Sequence, residues 1–100
     1  MPFEQPIPLT FVARVIQTRA PVASGVYGIS NAREWIYIGE TENIQSALFD
    51  HLQDLNAALM KLQPTGFVFE VCDRVRRPAR QDRLVLEYEP TLNRQSPVYS

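Results

Sequence analysis

The side chains able to do chemistry in this chain fall into three groups. Tyr27 and Tyr37 lie ten residues apart, each beside a glycine in a short β-rich run, Gly25-Val-Tyr-Gly-Ile-Ser and Trp35-Ile-Tyr-Ile-Gly. His51, the only histidine, follows four residues after Ala47, so on a helix the two face one patch. Arg74, Arg76, Arg77, Arg80 and Arg83 put five of the ten basic residues into one ten-residue window, diluted only by Asp73 at its edge and by Asp82. Clustered guanidinium groups suit phosphate, and they suit a solvated connector between two elements equally well. The tyrosines also have two readings, because alternating aromatics on a hairpin pack across strands more often than they catalyse. By simple alternation Trp35 and Tyr37 share one face, as do Tyr27 and Gly25. Cys72 ends the apolar run Phe67–Cys72 and reads as a small packing residue. As the lone cysteine it excludes an internal disulfide and any multi-cysteine metal site within one chain.

Composition limits what these groups can serve. One hundred residues is enough for a single hydrophobic core. The hydrophobic share of 45% and charged share of 21% are those of an ordinary globular protein, and no apolar run is long enough for a membrane helix. The opening Met-Pro-Phe-Glu-Gln-Pro-Ile-Pro has neither the basic nor the apolar part of a secretory signal, so a cytoplasmic location is expected. A net charge of −1 lacks the general Lys and Arg surplus of a non-specific nucleic-acid binder, which leaves the arginine window as the one local exception.

The elements that must position these groups follow from pattern. Residues 2–9, with three prolines, are expected to be extended and loosely ordered. Residues 10–19 suit a strand or a short helix; the helix is favoured, capped by Thr10 and burying Phe11, Val12, Val15 and Ile16. Residues 25–30 and 35–39, joined by the turn Asn31–Glu34, form a hairpin. Ile44, Leu48, Leu52, Leu55, Leu59 and Leu62 recur every three or four residues, which predicts one helix from about 42 to 62, stopped by Pro64 and Gly66. Phe67–Cys72 is a third strand. Pro78 opens a further helix with Gln81, Leu84, Val85 and Tyr88 on one side; Pro90 ends it, and Thr91–Ser100 is an irregular tail. The expected class is α/β (α+β), a small three-stranded sheet flanked by helices. Residues 1–23 form an N-terminal extension carrying the short helix, 24–95 the domain proper, and 96–100 a tail.

On these residues the chain resembles the GIY-YIG nuclease family. Gly25-Val26-Tyr27 stands where the first motif of that family would be, and Tyr37-Ile38-Gly39 where the second would be. The stretch from Gln81 to Asn93, closing on Pro90-Thr-Leu-Asn93, is similar to the family's last segment, and the resemblance spans about residues 24–93. It implies a phosphodiester hydrolase in which the tyrosine matching Tyr27 takes a proton from water while the one matching Tyr37 lies close by. It further implies an arginine on the long helix steadying phosphate and a histidine or tyrosine one turn later, matched by His51. A glutamate on the last long helix would hold Mg or Mn, and the asparagine matching Asn93 would organise the site.

Three positions depart from the pattern. Ala47 stands where the resemblance calls for arginine, and a methyl group grips no phosphate. Gln81 stands where it calls for the metal-binding glutamate, and a neutral amide is a poor Mg²⁺ ligand. Glu40 follows Gly39, where an acid repels phosphate; it is also the one weak candidate for a replacement metal ligand. Asp82 and Glu87 lie on other faces of the helix than Gln81. No resident metal or cofactor is therefore expected unless cleavage survives. Three readings remain open: a non-cleaving domain binding DNA, RNA or another phosphate-bearing ligand through Tyr27, Tyr37, His51, Asn93 and the Arg76, Arg77, Arg80 cluster; a module for a protein partner; and a metal-dependent endonuclease with a rearranged site. No membrane role is expected, and the sequence leaves the oligomeric state open.

Overall fold

A computed structural model describes residues 2–3, 7–54 and 57–94, the side chain of Arg94 excepted. The elements in chain order are β1 (Leu9–Thr10), α1 (Ala13–Arg19), β2 (Gly25–Ser30), β3 (Trp35–Thr41), α2 (Ile44–Gln53), α3 (Ala58–Lys61), β4 (Gly66–Val71), α4 (Arg77–Tyr88) and α5 (Thr91–Arg94). The sheet is antiparallel in the order β1-β4-β2-β3, four strands rather than the expected three. The addition is β1, two residues that pair with Gly66 and Phe67.

Every residue of β2 is buried, because it is flanked by β4 and β3 and covered on both faces. One face carries Tyr27, Ile29, Ile36 and Phe67, which pack with Phe11 and Ile16 of the N-terminal segment and with Ile44 and Leu48 of α2. The other carries Val26, Ile38 and Val68, which pack with Leu84 of α4 and with Phe3. Phe3 falls in the segment expected to be loosely ordered, yet its ring is buried against Trp35 and Tyr88. Residues 4–6 of that segment lie outside the described residues. No described helix is long and apolar enough to cross a membrane.

Several expectations change. The hairpin pairing runs Tyr27↔Gly39 and Ile29↔Tyr37, but the next pair is Ser30↔Trp35, so Ile36 is an extra residue in β3. Such a bulge breaks strict alternation. Trp35 consequently packs on the α4 side with Phe3 and Tyr88, and Tyr37 on the α2 side, rather than on one face.

The expected single helix over 42–62 is two helices. Asn43 caps α2, its side chain accepting from the Ser46 amide, and α2 ends at Asp54. After that, Ala57 is extended and α3 begins. An Asp side chain competes with the helical backbone for hydrogen bonds, which favours ending α2 at Asp54 over continuation. The apolar period survives because Ile44, Leu48 and Leu59 still reach the core from the two pieces; Leu55 lies outside the described residues. Thr10 does not cap α1. It belongs to β1, and Val12 at the cap position has no side-chain hydrogen bond and is exposed. Beyond α4, Glu89 adopts a left-handed conformation with φ 51° and returns its amide to Val85 O at 2.8 Å. The chain then forms α5 instead of an irregular stretch, anchored by the Thr91 hydroxyl donating to Glu34; residues 95–100 lie outside the described residues. Cys72 lies one residue past β4, half-buried at the edge of the α4-side core.

Candidate functional site

β2, β3 and α2 bring Tyr27, Tyr37 and His51 into mutual contact. The Tyr27 hydroxyl and His51 Nε2 are 2.8 Å apart in a hydrogen bond. The ring centroids lie 6.1 Å apart for Tyr27–Tyr37, 5.6 Å for Tyr27–His51 and 5.4 Å for Tyr37–His51. Gly39 makes room for this cluster. A β-carbon built there would stand 2.7 Å from the Tyr27 hydroxyl oxygen and 2.8 Å from the Tyr37 ring, closer than real β-carbons come. The second glycine of the paired motifs is thus a steric requirement of the first tyrosine.

Burial sets the protonation of the pair. Tyr27 is only 4% exposed, and desolvation raises its phenol well above the usual range, with Tyr37 and Asp50 adding in the same direction. Burial lowers the His51 imidazole below 6.5, against the opposing pull of Asp50 and Asp54. Both shifts favour the uncharged form, so near neutral pH the two groups share a hydrogen bond between neutral partners.

Asn93 and Gln81 meet at a different atom. The Ile38 amide donates to Asn93 Oδ1 at 2.7 Å, and Asn93 Nδ2 donates to the Ile38 carbonyl at 2.9 Å. Gln81 Nε2 donates to the same carbonyl at 3.1 Å. β3 is the edge strand among the described residues, so no further strand pairs with Ile38 on its outer side, and the Asn93 side chain does what such a strand would do. The link between Ile38 and the aromatic cluster is direct in the chain, since Tyr37 and Gly39 flank it. Ala47 is half-buried, its methyl against the α2-side core. The family resemblance placed Tyr27, Tyr37 and His51 in one site, but the sequence carried no signal for the backbone docking of Gln81 and Asn93.

The arginine window is largely engaged from within. Arg77 Nε donates to Glu40 Oε1 at 3.0 Å, and its Nη1 donates to Ser24 Oγ at 3.2 Å. Arg80 holds Glu70 through two hydrogen bonds of 2.7 and 2.8 Å, a fork geometry that raises the guanidinium further. Arg76 is different. It lies 3.6 Å from Asp73 with its side chain 80% exposed, and Arg74 and Arg83 are exposed as well. Sequence reasoning missed both partner acids, Glu40 and Glu70, because they sit on strands far from the window.

The donor set fits a divalent metal poorly. Gln81 presents its amide nitrogen to Ile38, Glu40 is committed to Arg77, and among the described residues no three His, Cys, Asp or Glu side chains converge.

No family model matches the sequence, and no curated protein matches it. Solved structures do. The GIY-YIG N-terminal endonuclease domain of UvrC from Thermotoga maritima, bound to its catalytic magnesium ion, superposes with a TM-score of 0.66 at 21% identity, covering 78% of this chain and 91% of that one. A tyrosine-to-phenylalanine point mutant of the same domain, bound to its catalytic divalent cation, gives the same score over 78% and 90% of the two chains at 21% identity. The hairpin, the helices packed on both sheet faces and these superpositions agree: the chain has a GIY-YIG nuclease-like fold.

Proposed function

We propose that this domain binds nucleic acid without cutting it. The observation that carries the proposal is the hydrogen bond from Gln81 Nε2 to the Ile38 carbonyl. A glutamate cannot donate that bond, so the position where the resemblance calls for a metal ligand serves here to hold an edge strand. Ala47 removes the phosphate-gripping cation from the same site. Groups of these kinds each stabilise a phosphodiester transition state by about 3 kcal/mol, so losing both lowers the rate by several powers of ten. The surviving pair also favours silence. Tyr27 is buried, its phenol is hard to ionise, and its hydroxyl is already committed to His51.

Binding would use what cleavage no longer needs. Tyr37 is partly exposed and offers a ring face for a base. Arg74, Arg76 and Arg83 are exposed and offer charge for phosphate. The test has two arms: cleavage of labelled single-stranded, duplex and branched DNA with Mg²⁺ or Mn²⁺ beside a Tyr27→Phe control, and binding of the same DNAs against salt. Salt-sensitive binding without cutting supports the proposal. Cutting that Tyr27→Phe abolishes refutes it.

A second reading, a module for a protein partner, has its own support. Glu40 and Glu70 neutralise Arg77 and Arg80, and Asp50 and Asp54 lie near His51, which makes the cluster a poor host for phosphate. Absence of any salt-dependent DNA or RNA binding favours this reading over the first.

A further inference from the structure

We propose that the outer edge of β4 takes an extended peptide segment of a partner protein, one with alternating apolar side chains and a carboxylate. The register defines the site. Cys72 N donates to Ser24 O at 3.0 Å, so Glu70 and Val68 likewise turn their backbone groups toward β2. Phe67, Phe69 and Val71 turn theirs the other way, the side on which Leu9 pairs with Phe67 and Phe11 N donates to Thr65 O at 3.0 Å. Among the described residues, β1 pairs with Gly66 and Phe67 and goes no further. The outward N–H and C=O groups of Phe69 and Val71 therefore lie beyond the ladder among the described residues. Continuing the antiparallel register would place Ile7 opposite Phe69, and no backbone hydrogen bond joins those two among the described residues.

A groove of about 390 Å³ runs beside this edge, lined by Ile7, Leu9, Arg19, Phe69 and Val71 among others. Ile7 is 83% exposed and Val71 58%, so the groove offers apolar surface to an incoming side chain. Strand addition supplies affinity through main-chain bonds and selectivity through alternate side chains, which is what an edge beside an apolar groove provides. Charge selects the occupant. Arg19 makes no ion pair among the described residues, whereas Glu70, the acid in the same groove, is held by Arg80. A second copy of this chain would bring another Arg19, while the acid of its own groove, Glu70, is held by Arg80. A peptide carboxylate fits.

The proposal concerns a different surface from the aromatic site, so it stands or falls separately from the nucleic-acid reading. Random dodecapeptides displayed on phage are selected on the full chain, and an enriched peptide is titrated into ¹⁵N-labelled protein. Expected are enriched sequences that alternate apolar residues and carry Asp or Glu, with slowed hydrogen exchange at the Phe69 and Val71 amides. Val71→Pro, which removes one outward N–H, and Arg19→Glu, on an exposed side chain, should each weaken binding about tenfold. Failure to enrich any peptide, enriched peptides that shift other residues, or unchanged affinity in both variants overturns the proposal. Protection of Phe69 and Val71 that grows with protein concentration alone overturns it in favour of a second copy.

Discussion

The side-chain nitrogen of Gln81 lies 3.1 Å from the carbonyl oxygen of Ile38 and donates a hydrogen bond to it, beside the bond from Asn93 at 2.9 Å. Both helices after β4 are tied in this way to one backbone atom of an edge strand that also carries Tyr37 and Gly39.

Gln81→Glu should therefore destabilise the fold. A carboxylate in place of the amide turns a donor into an acceptor facing an acceptor, at a cost of about 1–3 kcal/mol near neutral pH. The carboxyl would be raised above its usual value, because the neutral acid can still donate to Ile38. Its penalty is accordingly absent at pH below the unfolded carboxyl's titration and grows as pH rises through it. Thermal unfolding across pH measures this. A variant as stable as the parent at every pH would show that the bond contributes nothing. Stabilisation of the variant, but not the parent, by Mn²⁺ would show that one carboxylate restores a metal seat.

Gly39→Ala should cost about 1–3 kcal/mol, the range for overpacking a filled interior. The added methyl would meet both the Tyr27 hydroxyl and the Tyr37 ring, so the Tyr27–His51 bond has to give. A changed His51 ring-proton spectrum together with a lowered melting temperature is the expected signature. A variant with the parent's stability and spectrum would mean that the rings move aside freely.

Much of this was legible before any coordinates. The hairpin follows from two β-rich runs around Asn31–Glu34, and α4 from Pro78 and Pro90, because proline and turn residues act locally. The clustering of Tyr27, Tyr37 and His51 was legible only through the family resemblance, since spacing alone left His51 on a helix surface and the tyrosines as cross-strand packing. What stayed hidden depends on partners distant in sequence. β1 exists only because Gly66 and Phe67 lie alongside it, and the extra residue Ile36 shows no local sign. The arginine window read as one patch, yet Arg77 and Arg80 are claimed by Glu40 and Glu70 on strands, a matter of three-dimensional proximity.

The same pairings predict that the arginines separate by property. Arg80→Ala leaves Glu70, whose side chain is 13% exposed, without its fork and should destabilise by about 2 kcal/mol. Arg76→Ala, at an exposed side chain, should change stability by less than about 0.5 kcal/mol. If the domain binds DNA, Arg76→Ala should instead lower the slope of log affinity against log salt by about 1. Chemical denaturation and salt-dependent binding of the two variants check this. A destabilised Arg76→Ala beside a stable Arg80→Ala would reverse the assignment.

The Tyr27–His51 pair predicts how stability depends on acidity. The imidazole is lowered in the fold, so between its folded value and 6.5 the unfolded chain binds more protons than the native one. Stability thus rises with pH across that window and falls on acidification through it. At the alkaline end the sign reverses, because the Tyr27 phenol is raised above 10.0: beyond that pH the unfolded chain loses a proton that the native chain keeps, and stability declines. His51→Gln should flatten the acidic limb and leave the alkaline one, while Tyr27→Phe should soften the alkaline one. Denaturant midpoints measured from mildly acidic to strongly alkaline pH distinguish the two limbs. An acidic limb that persists unchanged in His51→Gln would assign it to carboxylates elsewhere, and the neutral imidazole would have no part in holding the fold.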